Sequence, residues 1–331
     1  MKIQLNPTHR QTLLRGIGSL LSIALLVYLL SQQGWAEIFE ALKRISPQTI
    51  VTIILLLVVS RLAVASRWYA LLRAVAPEIS YWESFRMTFA GLFAANFLPT
   101  TIGGDILRLA VTLRKAKDRI SSGTSIAADR LVGLAGMAML LPVGTLKFLA
   151  WLRTSNAAEE PLRGLSGAVW LGLVLTIDWQ RVFNRLRDGT VRLFRELFLW
   201  LRRPRAVLLA LVITWIHMTC YFTIIRLLLR DMGQVLDFWT VGGLWSFTYF
   251  ITLIPVSING LGLRELSISY IFPELGGISM QAALSLAILL RGLDLMISLP
   301  GSFFLPGVLS EARKNELDME PVEDREFPHP S

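Results

Sequence analysis

Cysteine is almost missing from this chain: Cys220 stands alone among 331 residues, so no disulfide can form within it. Histidine is nearly as scarce, with His9 and His329 at the two ends and only His217 in the body of the sequence. His217 and Cys220, spaced i, i+3, cannot assemble a metal site by themselves, so no metal is expected and both read as packing residues. Charge is thin as well, at 17% of residues against 53% hydrophobic. A soluble domain of this length has too little interior for so much apolar surface. There is no Walker loop, no dinucleotide fingerprint and no Ser/His/Asp set in a suitable context. Neither enzymatic catalysis nor a cofactor is therefore expected.

What the chain has instead is long apolar runs. Leu13–Leu30, Ile50–Ala65, Ala206–Ile225 and Gln281–Leu305 each approach the ~20 residues that cross ~30 Å of hydrocarbon. The pattern predicts an all-α integral membrane protein with about six transmembrane helices, over 13–31, 48–66, 123–146, 162–178, 206–227 and 280–305. The first run has no small-residue cleavage site and reads as a retained span. Residues 35–46 space Trp35, Ile38, Phe39, Leu42 and Ile45 as an interfacial helix would. Residues 179–205 carry eight arginines among regularly spaced apolar side chains and read as a basic amphipathic helix. The tail 311–331, with seven acids and three prolines, reads as disordered. Residues 1–310 then form a single transmembrane domain.

Two segments are apolar but interrupted. Tyr81–Leu98 breaks at Pro99-Thr-Thr-Ile-Gly-Gly-Asp105 and resumes at Ile106–Leu113. Phe238–Leu253 breaks at Pro255-Val-Ser-Ile-Asn-Gly-Leu-Gly262 and resumes at Leu263–Phe272. None of the four halves is long enough to span, so each pair is expected to form a re-entrant helical hairpin. The net charge of +9 is distributed unevenly. With the N-terminus in the cytoplasm, 22 Lys/Arg fall in cytoplasmic stretches and seven outside. Both ends of the first hairpin are flanked by basic residues, so both should be cytoplasmic. The second hairpin then enters from the opposite face, and both chain termini are cytoplasmic. Basic blocks of this kind suit topology and anionic lipid, so nucleic acid is not an expected partner.

The breaks align without gaps. Pro99, Ile102, Gly104 and Arg108 match Pro255, Ile258, Gly260 and Arg264 in the spacing P-x-x-I-x-G-x-x-x-R. Each is followed by a span bearing an arginine, Arg130 or Arg291. An inverted repeat is expected, with repeat one at about 48–150 and repeat two at about 206–308. Free backbone amides at Gly103, Gly104, Asn259, Gly260 and Gly262, together with Asp105, Arg108 and Arg264, make a candidate phosphate or headgroup site. The alternative role for each arginine is snorkelling or pairing with a nearby carboxylate. Asp105 suits a helix cap, and Glu265 suits an ion pair with an arginine of the other repeat. Asp129, Arg130, Glu265, Arg291 and Asp294 are ionisable residues within apolar segments and form an intramembrane polar network, either as ion pairs or as a polar path. Arg291 and Asp294 share one helix face. Arg61, near the end of its span, is placed to snorkel.

Asn96-Phe-Leu-Pro99, Gly103-Gly104-Asp105, Arg108 and Asp129-Arg130 together resemble the lysylphosphatidylglycerol synthase transmembrane (flippase-like) family. Ile254-Pro255, Asn259-Gly260-Leu-Gly262-Leu-Arg264-Glu265 and Arg67-Trp68 are similar to further motifs of that family. The resemblance covers about 13–308. It implies a bacterial or archaeal cytoplasmic-membrane protein related to the domain that moves aminoacylated phospholipid between leaflets. Aminoacylating members carry a soluble synthase domain, whereas about twenty polar residues follow here, so a stand-alone member without lysyl transfer is expected. The leading expectation is a transporter of lipid or lipid-linked headgroups, taking anionic phospholipid or a polyprenyl-phosphate-linked substrate. The alternatives are a non-catalytic membrane subunit supporting a lipid-modifying or glycosyltransferase enzyme, and a secondary transporter of a small anion.

Overall fold

The computed structural model describes residues 43–97, 103–116, 119–154, 200, 202–253 and 262–317. Among these residues every regular element is a helix. In chain order they are α1 (Pro47–Arg73), α2 (Tyr81–Phe97), α3 (Gly103–Lys115), α4 (Arg119–Ala138) and α5 (Leu141–Thr154). They continue with α6 (Pro204–Asp231), α7 (Phe238–Thr252), α8 (Leu263–Gly276), α9 (Met280–Ser298) and α10 (Gly301–Leu317).

The helix starts follow from local sequence. Ser46 caps α1, its hydroxyl accepting from Thr49 N at 3.1 Å, and Pro47 occupies the first turn, where no amide is missed. Asp237 caps α7, accepting from Trp239 N at 3.0 Å and Thr240 N at 2.9 Å. The hydroxyl and amide of Thr240 and the amide of Trp239 hold the Asp237 carboxyl below the usual carboxylate range. Gly262 opens α8 at φ +79°, a left-handed conformation that favours glycine, and Gly277 closes it at φ +72°.

Among the described residues three helices, α1, α6 and α9, are long and apolar enough to cross a membrane. At 1.5 Å per residue α1 and α6 each reach about 40 Å, beyond the ~30 Å of hydrocarbon. They pack on each other along their lengths, and each keeps an exposed apolar flank, Val51, Leu55 and Val58 on α1 and Leu208, Val212 and Ile216 on α6. Such a flank suits contact with lipid chains.

The expected span at 123–146 is broken. α4 and α5 bend by 42° at residues 139–140, and together they make a fourth candidate span. Leu140 N bonds Met137 O and Val143 N bonds Leu140 O, both at 3.1 Å, tightening the chain ahead of Pro142. The expected span at 280–305 is interrupted in the same manner. α9 stops at Ser298, Pro300 removes an amide donor, and α10 starts at Gly301. α10 runs on to Leu317, so the segment expected to be disordered from 311 is helical in its first turns. The expected spans at 13–31 and 162–178, residues 35–42, residues 179–199 of the expected basic helix at 179–205 and residues 318–331 lie outside the described residues.

The two limbs of each interrupted segment pack together, α2 on α3 and α7 on α8. α5 packs on α7, and α10 packs on α2. Both of these contacts are glycine-mediated. A methyl group added at Gly144 would collide with the Gly243 backbone, and one at Gly301 with the Phe89 backbone. Small residues at helix crossings give the close backbone approach that replaces the hydrophobic drive inside lipid. Two cores result. One joins α1 with α6 to α9 through Leu57, Met218, Phe222, Leu244, Phe272 and Leu286. The other joins α1, α2 and α3 with Val308 of α10 through Trp68, Leu72, Met87 and Val111.

Candidate functional site

The charged residues inside the apolar helices collect in two groups, and α1 contributes an arginine to each. In the first, Asp129 of α4 is buried and accepts from Arg67 Nε at 2.8 Å and from Arg108 Nη2 at 3.3 Å. Arg108, on α3, also reaches Asp105 at 3.2 Å and lies over the Trp68 ring with 3.9 Å to its centroid. Asp105 is shared with Arg130, at 2.6 Å. The Arg130 side chain is 60% exposed, so this end of the group is open while the Asp129 end is closed.

The second group centres on Asp294 of α9, buried and paired with Arg61 of α1 and with Arg264 of α8, the latter at 2.8 Å. Tyr221 of α6 accepts from Arg264 Nη2 at 2.6 Å and donates to Asp294 Oδ2 at 3.4 Å. Arg264 lies beside the Trp245 ring, 4.9 Å from its centroid. Next to Arg61, Ser60 is hydrogen-bonded to His217 Nδ1 of α6 at 2.7 Å.

The groups share a plan. Each has a buried aspartate between two arginines, one from α1 and one from the return limb of an interrupted segment, and a tryptophan beside the return-limb guanidinium. Each also leaves one buried nitrogen without a hydrogen-bond partner among the described residues, Arg108 Nε in the first group and Arg61 Nε in the second. An unpaired buried donor is costly, and more so on a charged group.

Several expectations are corrected here. Arg61 does not snorkel; its partner Asp294 draws it inward. Asp105 accepts from two arginines, and no backbone amide among the described residues is found donating to it. Glu265 accepts from Gly262 N at 2.9 Å, reaching back over the first turn of its own helix where an ion pair was expected. Arg291 and Asp294 do not pair, because Asp294 already faces Arg61 and Arg264. Gly104 packs against the Gly91 backbone, so it serves the close approach of α3 to α2. Gly103 begins α3, and Gly262 caps α8. Asn259 and Gly260 lie outside the described residues.

Arg61 and Arg67 as site members, with Trp68, Tyr221 and Trp245, were not evident from sequence. The available signal was two arginines at the end of one apolar run, with a lone aspartate in each of two other helices. No group of three potential metal ligands occurs among the described residues.

Comparison with known proteins adds two findings. Residues 16–301 match the family described as the lysylphosphatidylglycerol synthase TM region. An Archaeoglobus fulgidus protein described as a UPF0104 membrane protein is 20% identical over 291 residues, covering 77% of this chain and 85% of that protein.

Proposed function

The chain belongs to the lysylphosphatidylglycerol synthase transmembrane-region family, and from that premise we propose that it moves a phosphate-bearing lipid headgroup between leaflets. The observation that carries this reading is the pair of buried arginine groups on the return limbs of the two interrupted segments. A guanidinium donates in a planar fork that matches phosphate oxygens. Held inside the helix bundle, it offers a headgroup a polar station while acyl chains stay in lipid. Charged residues within membrane helices ordinarily line such a path.

The element order supports an inverted repeat. α1, α2–α3, α4 and α5 correspond to α6, α7–α8, α9 and α10, each set ending with a break before a last short helix. The exchange of partners, α5 on α7 and α10 on α2, is what two interlocked repeats produce. On this reading the interrupted segments enter from opposite faces of the cytoplasmic membrane of a bacterium or archaeon, with both termini in the cytoplasm. The protein acts without catalysis, its substrate being an anionic phospholipid or a polyprenyl-phosphate-linked lipid.

Reconstitution tests this. In liposomes carrying fluorescent phosphatidylglycerol, the purified chain should speed loss of inner-leaflet protection from an impermeant quencher. Arg108→Ala and Arg264→Ala should each slow it at least about tenfold, in line with the loss of one charge-assisted phosphate contact. Wild-type flipping at the rate of empty liposomes, or variants as fast as wild type, would remove the reading.

A further inference from the structure

Five arginines within the helix bundle bond an aspartate. Arg61 and Arg264 share Asp294, Arg67 and Arg108 share Asp129, and Arg130 takes Asp105. Arg291 of α9 is not among them. Among the described residues it has neither an ion pair nor a hydrogen bond. Asp294 lies one turn further along the same helix, but its oxygens are engaged by Arg61, Arg264 and Tyr221. The two interrupted segments differ at a position that bears on this. In the gapless alignment of the breaks, Leu261 stands where the first has Asp105, the partner of Arg130. Glu265, the carboxylate that the second segment does carry, is turned back to Gly262 N.

Arg291 also lies deep. α9 is long and apolar enough to cross a membrane, and its 19 residues rise about 28 Å. Arg291 stands about 16 Å from the start of the helix at Met280. Past the other end the chain stays apolar through Leu299, Phe303, Phe304 and Leu305. A guanidinium there is too far from either interface to snorkel, and its charge is costly unless water, a partner or an anion meets it. Ala287, Leu290 and Asp294 mark the buried face of α9, whereas Gly292 and Met296 are exposed. A methyl group added at Gly292 would meet nothing within 4 Å. At about 100° per residue, Arg291 falls between these two faces. It is half-buried at a lateral edge of the bundle, beside the second arginine group and its unpaired buried Arg61 Nε.

We propose that Arg291 is the phosphate contact of a lateral lipid-headgroup site, one per chain. This rests on the headgroup reading above and adds a residue and an entrance to it. The oxygens of a phosphodiester accept from the guanidinium fork and supply the anion that the second segment lacks. The lipid chains lie along the apolar flank of Met296, Leu299 and Phe303, which is exposed at the same end of the helix. The flank is what favours a lipid phosphate over a free one. Arg130 already has its counter-ion in Asp105, so the first segment offers no matching site.

The test uses native mass spectrometry of the full-length protein in detergent. The probes are dioleoyl phosphatidylglycerol and dioleoylglycerol, which has the same chains and no phosphate, with inorganic phosphate as competitor. Phosphatidylglycerol should bind one per chain and at least about tenfold more tightly than dioleoylglycerol, as one charge-assisted contact provides. Arg291→Gln should cut that ratio below about threefold, and Arg291→Lys should keep part of it. Arg230→Gln, at an exposed arginine, should leave it unchanged. Having no protein partner to strand, ligand-free Arg291→Gln should melt at or above the wild-type temperature. A lower melting temperature would mark a structural role and overturn the assignment. So would a wild-type ratio near one, which needs no variant, or a ratio unchanged in Arg291→Gln. Displacement of phosphatidylglycerol by an equal concentration of inorganic phosphate would make the site one for a soluble anion and overturn the lipid. Flipping that needs Arg108 and Arg264 but is unchanged in Arg291→Gln, together with unchanged binding, would sink this inference alone. Binding that depends on Arg291 without any flipping by the wild type would uphold the site and remove the transport reading.

Discussion

Replacing Asp294 by alanine removes the one carboxylate that holds Arg61 and Arg264 together. Both guanidiniums are left in the bundle, with the Tyr221 hydroxyl and the Trp245 ring still touching Arg264. Breaking a buried ion pair from one side costs about 3–5 kcal/mol, because the penalty is the stranded charge. Removing Arg61 instead leaves Asp294 still paired with Arg264 and Tyr221, so Arg61→Ala should cost less, about 1.5–3 kcal/mol. The double variant Arg61→Ala/Asp294→Ala strands one cation where Asp294→Ala strands two. It should therefore be no less stable than Asp294→Ala alone, a clear departure from additivity. Thermal unfolding in nanodiscs, followed by tryptophan fluorescence, gives the comparison. Asp294→Ala should lower the melting temperature on the order of 10 °C. Losses that simply add across the two sites, or an Asp294→Ala melting temperature equal to wild type, would refute the claim that Asp294 is the shared partner of both arginines.

Gly104→Ala should lower the yield of monodisperse protein in size-exclusion chromatography, since its methyl group meets the Gly91 backbone and forces α3 off α2, at about 1–3 kcal/mol. Trp68→Leu should slow flipping of fluorescent phosphatidylglycerol severalfold, as loss of a desolvated cation–π contact of about 1–2 kcal/mol requires, while Trp82→Leu, on the exposed face of α2, leaves it unchanged. Asp237 supplies a pH test. Its folded-state pKa is depressed by hydrogen bonds from Thr240 and Trp239, so its contribution is complete above the unfolded carboxylate pKa and is lost as pH falls through the folded value. The melting-temperature gap between wild type and Asp237→Ala should be constant from pH 7 to 5 and shrink below about pH 4. A gap that stays constant down to pH 3 would contradict the cap.

The apolar runs announced α1, α6 and α9, because length and absence of charge are enough for a spanning helix. Pro99 and Pro255 marked the interruptions, since proline cannot donate to the turn before it. The breaks at 139–140 and 299–300 were less evident. Pro142 and Pro300 were available as signals, but unbroken hydropathy on both sides hid them. Arg108, Arg264, Asp129 and Asp294 stood out as charges in apolar surroundings. Their partners did not, because pairing joins residues 62 positions apart for Arg67 and Asp129, and 233 apart for Arg61 and Asp294. Periodicity along one helix carries no information about which residue of a distant helix it meets. Glu265 was misassigned for a related reason: the first turn of its own helix satisfied it before any distant arginine could.

The most direct measurement is sidedness of single cysteines in intact cells, made straightforward by the lone native thiol, Cys220, which Cys220→Ser removes. Glu78→Cys and Lys117→Cys flank the first interrupted segment, and Val235→Cys and Glu274→Cys flank the second. The expected result is that an impermeant maleimide applied outside labels Val235→Cys and Glu274→Cys and spares Glu78→Cys and Lys117→Cys until the cells are opened. Labelling of Glu78→Cys and Lys117→Cys from different sides would make the first segment a full crossing and would separate the two arginine groups from the path proposed for the headgroup.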